Sequence, residues 1–215
     1  MPAYRSAAEA EIRDAVVARI REHRPAARII HEINCAGQGT NRIDLVAVDR
    51  AEIIAVEIKS AKDKIDRLPA QIKAMRGVAH HVVAALHEKF LVPARWASEG
   101  RVEAPPEAKG ATVWAYPEAG AEAGRTYGCA AWEPLRPAIQ SVLPHDALSM
   151  LWRGELYRLC ESLRVSVGRR ATMTGMTNQL RWMCTGRELT LGICALLRAR
   201  PCLEADPEIV ERNAA

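Results

Sequence analysis

Asp44, Glu57 and Lys59 place two carboxylates and an ammonium inside the most apolar stretch of the chain, "NRIDLVAVDRAEIIAVEIKSAKDK" from Asn41 to Lys64. Moving an isolated charge out of water costs several kcal/mol even after relaxation, so such groups are normally paired, metal-bound or absent. Side chains alternate along a strand, which sends Glu57 and Lys59 to one face. A turn centred between Arg50 and Ala51 pairs Val48 with Ile53, and the same register carried onward sets Asp44 opposite Glu57. Opposed carboxylates repel and need a counter-charge. Mg²⁺ or Mn²⁺ would supply it, since Mg²⁺ keeps several waters and takes one or two protein carboxylates beside a substrate phosphate. Lys59 would then orient or help deprotonate an attacking water, or neutralise charge growing on the phosphate. The plainer alternative is a salt bridge from Lys59 to Glu57 or Asp44 at the sheet margin, where such pairs contribute little. D…E-x-K alone is a weak signal; its placement on two adjacent strands gives it weight.

Those strands belong to a legible series of elements. From Ser6 to about Glu22, Ala8, Ile12, Ala15, Val16 and Ile20 recur at helical spacing, with Pro25 beyond. "RIIHEIN", "RIDLVAV" and "EIIAVEIKS" then read as a three-stranded meander, joined by "CAGQGTN" and "DRAE". The first connection is glycine-rich but lacks the Lys-Ser/Thr of a phosphate-binding loop, so it is expected to shape the substrate entrance. In "IIAVEIK" both faces are apolar, which marks a central strand covered by helices. Between Lys62 and Gly77 the period becomes helical, with Ile65, Leu68, Ile72 and Met75 on one stripe. "HHVVAAL" predicts a fourth strand, "KFLVPARWAS" a short helix and "GATVWAY" a fifth strand. "PEAGAEAGR" reads as a surface loop, and the three prolines of "EPLRPAIQSVLPH" suit a connection. The expected organisation is therefore an α/β domain over residues 1–140 and an arginine-rich helical module over 141–215. In the module, Leu148, Leu151, Trp152, Leu156, Leu159 and Leu163 mark one helix, and two more are expected between Met176 and Ala199, divided around Thr185-Gly186.

With these residues placed, the chain resembles the PD-(D/E)xK nuclease superfamily and its restriction-endonuclease-like core, over about Glu9 to Leu86. "EIKSAKDKIDRLPAQI" further resembles a bacterial and phage family in which E-I-K-S leads into D-x-x-x-R-L-x-x-Q, here Glu57 to Ser60, Asp63, Arg67, Leu68 and Gln71. The resemblance implies an α-β-β-β-α-β core with a central mixed sheet flanked by helices. It also implies metal ligation by Asp44, Glu57 and the backbone carbonyl of Ile58, catalysis by Asp44, Glu57 and Lys59, and support from Gln71. Ile43 stands where the superfamily's name has Pro. On a helical wheel Lys64, Arg67 and Gln71 share one flank that could hold a phosphate backbone. Glu32, and with less support Glu9 or Glu11, are candidates for a further acidic group near the metal. His80 and His81 open a strand on opposite faces and read as structural.

The formal net charge of +4 permits an anionic partner without demanding one. Arginines are nonetheless concentrated in the C-terminal part, at 153, 158, 164, 169, 170, 181, 187, 198 and 200, with Trp152 and Trp182 among them. Arginine suits phosphate contacts and exposed aromatic rings stack on unpaired bases; Arg169 and Arg170 are the named candidates. Trp152 lies in the apolar stripe and reads as core, while Trp182 is left open. Six cysteines without a C-x-x-C pair read as reduced thiols. No stretch reads as a signal peptide or a membrane span, so a cytoplasmic location is expected. The resulting expectation is metal-dependent phosphodiester hydrolysis with DNA as the leading substrate, and a homodimer or protein partner through the C-terminal helices. The rivals are a catalytically silent nucleic-acid-binding module and a protein-interaction module on the same scaffold.

Overall fold

The computed structural model describes residues 6–35, 42–93, 102–117, 132, 134–138 and 140–210. Of the expected loops at 35–41 and 117–125 and the expected helix at 89–98, residues 36–41, 118–125 and 94–98 lie outside those residues; the described half of that helix is instead a 3-10 turn over Glu88–Phe90 followed by a short strand at Val92–Pro93, where Pro93 has no amide to donate to a helix. Helix α1 (Ala7–His23) starts at Ser6, whose hydroxyl accepts from the Glu9 amide. Strands β1 (Arg28–Asn34), β2 (Arg42–Val48) and β3 (Ile53–Lys59) form the antiparallel meander. Val48 pairs with Ile53, as the turn position implies. Helix α2 (Leu68–Arg76) crosses to β4 (His81–His87), which lies parallel to β3. A short pair, β5 (Val92–Pro93) and β6 (Val102–Glu103), precedes β7 (Thr112–Tyr116), which lies parallel to β4. The result is an α/β fold with a mixed five-stranded sheet ordered β1-β2-β3-β4-β7.

Alternation assigns the two faces. Ile54, Val56 and Ile58 join Leu45, Val83 and Trp114 beneath Ile12, Val16 and Ile20 of α1. Ile53 and Ala55 face the other way, with Val46, Val48 and Ala84, against Leu68, Ile72 and Met75 of α2. Asp44 and Glu57 are in phase with this second set. Helices α3 (Arg153–Ser162), α4 (Met173–Met183) and α5 (Gly186–Ala199) bury Leu156, Leu159, Met176, Leu180 and Ile193 in that same cluster. One buried core thus runs across residue 140. The single helix expected from Leu148 to Leu163 is instead a 3-10 turn over His145–Met150, an extended pair at Leu151-Trp152, and then α3.

The segment after α5 returns to β1. The His31 amide donates to the Glu204 carbonyl, the Asp206 amide to the Ile29 carbonyl, and Ile30 bridges Ala205. Arg28, 1 % exposed, donates to the carbonyls of Leu197, Arg198, Arg200 and Asp206 at 2.7–3.0 Å. A buried cation is tolerable there because the last carbonyls of α5 lack helical partners and carry the negative end of its dipole. Arg198 and Arg200, read from sequence among the phosphate-contact candidates, are also buried, and Arg200 forms an ion pair with Glu155.

Candidate active site

Asp44 stands where β2 is released by both of its neighbours. The pairing with β3 stops at Leu45 opposite Val56, and the pairing with β1 omits the position of Glu32 opposite Asp44. The expected ladder pair of Asp44 with Glu57 is therefore absent. Instead the Asp44 carboxylate accepts from the Ile58 amide at 2.9 Å, which satisfies the donor that the interrupted ladder frees. The Asp44 carbonyl accepts from Arg13 at 2.6 Å. Arg13 is 1 % exposed and also donates to Glu9 at 2.7 Å and to Glu32 at 3.2 Å. It faces His31 Nδ1 at 3.0 Å. Burial, then the charge of Arg13, hold the His31 pKa below its ordinary value, consistent with a neutral ring accepting at Nδ1.

Glu57, 1 % exposed, receives Lys59 Nζ at 2.6 Å and the Gln71 side-chain amide on the same oxygen. Among the described residues, its other oxygen, Oε2, is buried without a hydrogen-bond partner, as is Gln71 Oε1. Burial first, and then the Asp44 carboxylate, push the Glu57 pKa up to about 8, against the opposing pull of Lys59 and Gln71. The Asp44 pKa is also raised, chiefly by burial. The neighbouring Cys35 thiol is pushed up to about 11 by burial and by Glu57, which keeps it protonated.

These groups open onto a cleft of about 560 Å³ lined by Asp44, Glu57, Ile58, Lys59, Lys64, Arg67 and Gln71 together with Glu9, Asn34, Arg42, Asp63 and Asp66. Lys64 and Arg67 reach it from a loop and not from the expected helix flank, because α2 begins at Leu68. The Ser60 amide and hydroxyl both donate to Asp63 at 2.7 Å, and this turn, followed by Pro69 early in the helix, delays the start. Glu32 does not line the cleft: its carboxylate is engaged by Arg13 and Arg42. Glu9 does line it, whereas Glu11 is exposed on α1. Arg169 and Arg170 are exposed on the α3–α4 connection and do not line this cleft. His80 and His81 are structural: His80 accepts from the Ile53 amide at 3.1 Å, and His81 contacts Glu52 at 3.1 Å.

Sequence reading missed Arg13 and Arg42. Arg13 could have been found, since it interrupts the apolar stripe of α1 four residues after Glu9, a spacing at which opposite charges meet. Among the described residues, no group of three or more His, Cys, Asp or Glu converges as a metal cage. Asp44 and Glu57 offer two carboxylates and one unpartnered buried oxygen, a donor set suited to a hard cation that retains water.

Residues 3–103 match the model of the family described as Bacteriophage P4 protein cII, just under half of the chain. The matched stretch includes α1, β1 to β4 and the cleft residues from Glu9 to Gln71. No curated protein and no solved structure matches the chain. Among the described residues, no helix is long and apolar enough to cross a membrane.

Proposed function

We propose that this chain is a metal-dependent nuclease, with DNA as its leading substrate, built on a restriction-endonuclease-like core of the PD-(D/E)xK type. The observation that carries the reading is the meeting of Asp44, Glu57 and Lys59 in one polar cleft with a Glu57 oxygen left unpartnered. Asp44, Glu57 and the Ile58 carbonyl would hold Mg²⁺ or Mn²⁺. When bound, such an ion polarises a phosphoryl oxygen and lowers the pKa of a coordinated water. Gln71 fixes the Glu57 carboxylate through its amide. Lys59, already 2.6 Å from Glu57, supplies a positive charge that strengthens its hold as phosphate charge grows in the transition state. Lys64 and Arg67, exposed at the cleft rim, suit the flanking backbone phosphates.

The same Lys59–Glu57 contact supports a second reading, a catalytically silent nucleic-acid-binding module in which the pair closes on itself. The two separate on a panel of end-labelled and circular nucleic acids incubated with Mg²⁺, Mn²⁺ or EDTA. Ion-dependent cutting by the wild type, absent in Asp44→Ala, supports hydrolysis; binding without cutting supports the silent module. Calorimetry should show that Asp44→Ala and Glu57→Ala each abolish Mg²⁺ or Mn²⁺ binding. Wild-type metal affinity in Asp44→Ala would remove that residue from the donor set.

A further inference from the structure

A second cleft, of about 720 Å³, adjoins the first and shares Asn34 and Arg42 with it. Its far wall is Trp152, which sequence placed in the core but which is 56 % exposed. The ring falls outside the apolar stripe because α3 starts one residue later, leaving Trp152 extended at its N-terminal boundary. Exposure here does not mean looseness. The Trp152 amide donates to Glu155 at 2.8 Å, Glu155 pairs with buried Arg200, and the Arg200 guanidinium lies 4.5 Å from the centre of the indole. A cation therefore backs one face of the ring while much of its surface stays open. Arg153, the next residue in the chain, donates to the carbonyls of Arg169 and Ala171 and so ties the exposed Arg169–Arg170 loop to the start of α3.

We propose that this second cleft is a nucleobase subsite, in which an unpaired base of a single-stranded nucleic acid stacks on Trp152. Its backbone runs from the Arg42 side, shared with the first cleft, toward Arg153, Arg169 and Arg170. Trp152 offers a π-face for a base, while Arg42, in the same cleft as Glu32 and Glu204, and Arg153, next to the tryptophan in the chain, offer charge for the phosphates of a single strand. A held ring loses little freedom on binding, which favours affinity. The inference rests on the nucleic-acid half of the reading above and not on hydrolysis.

The test is fluorescence anisotropy with the full chain in EDTA, using a dye-labelled oligothymidylate and an abasic strand of equal length. Wild type should prefer the oligothymidylate. Trp152→Ala should lose about five- to a hundredfold in affinity for it, the span expected for one stacked base, with the abasic strand unaffected. Trp152→Phe, which keeps a ring, should recover part of the loss, and melting curves of both variants should show them folded. Unchanged oligothymidylate affinity in Trp152→Ala, or an equal loss for both strands, overturns the subsite and returns the cleft to a protein side chain. If wild type binds neither strand, the subsite falls, and the cleavage panel decides the nuclease reading by itself. If Trp152-dependent binding is found without any cleavage, the subsite stands and the hydrolytic reading alone is lost.

Discussion

Two buried carboxylates flank strand β3 and are treated in opposite ways. Glu52, just before the strand, accepts from Arg24, from the Ala138 amide at 2.8 Å and from His81 at 3.1 Å. Burial would raise its pKa, but the bonds from His81, Arg24 and Ala138 outweigh it and bring the value down to about 2. Glu57, near the other end, has both its donors on one oxygen and its pKa pushed up to about 8. The first arrangement is what stability favours, a charge fully matched by donors. In the second, a like charge is brought close and an oxygen is left over, which folding alone does not explain. One strand thus has an anchored end and a poised end.

Each end of β3 answers to a different substitution. Glu52→Ala leaves the Arg24 guanidinium, 11 % exposed at its side chain, with the carbonyls of His23 and Leu135 but no counter-charge from Glu52, and should cost about 3–5 kcal/mol in denaturant unfolding. A loss below about 1 kcal/mol would show that the anchored end is an ordinary surface pair. Lys59→Ala should slow single-turnover cleavage by about 10²–10³-fold. It should leave melting and nucleic-acid affinity near wild type, because the Glu57 carboxyl can take up a proton when its partner is lost. Wild-type cutting by that variant would end the catalytic assignment, and a large fall in melting temperature would make the pair structural.

Acid and base should act oppositely at the two ends. Glu52 has a folded-state pKa below its ordinary 4.5, so its stabilisation is complete above that value and is lost as pH falls toward about 2. Glu57 has a folded-state pKa above 4.5, so the metal-free fold is favoured while it is protonated and loses that advantage as pH rises toward about 8. In EDTA, the stability of Glu57→Gln relative to wild type should therefore improve between about pH 5 and about pH 8, read by urea unfolding. A difference that does not move with pH would place Glu57 among satisfied carboxylates. The smallest effect lies away from β3. Arg169→Ala combined with Arg170→Ala should weaken nucleic-acid binding and flatten its salt dependence by about one slope unit per lost phosphate contact. An unaltered slope would make those arginines structural or idle.

Much of this was legible because period and burial agree. The β-branched runs "RIIHEIN" and "RIDLVAV" coincide with β1 and β2 residue for residue, and the Val48–Ile53 register follows from a short turn. Residue types drew attention to Asp44, Glu57 and Lys59, and the family resemblance to Gln71, and the fold brings all of them to one cleft. What escaped depends on distant partners. That Asp44 bonds the Ile58 amide instead of facing Glu57 in the ladder follows from β2 being released on both sides, where Arg13 enters from another element. Trp152 has the spacing of a core residue, yet the helix containing that stripe starts one position too late to bury it. Glu32, with a φ of 58°, sits in a strand whose sequence gives no sign of a left-handed residue.

The carbonyl cage around Arg28 also bears on how the chain is made. Its donor groups come from β1 and its acceptors from residues 197–206, translated some 170 residues later. Until that segment emerges, Arg28 has no cage, and the main-chain groups of β1 that face away from β2 lack the partners supplied by Glu204 to Asp206. Until then a nascent chain would hold an open strand edge and an uncompensated guanidinium, the state in which strands pair with the wrong neighbour. Residues 204–206 close the edge of β1, so completion of the sheet must wait for them.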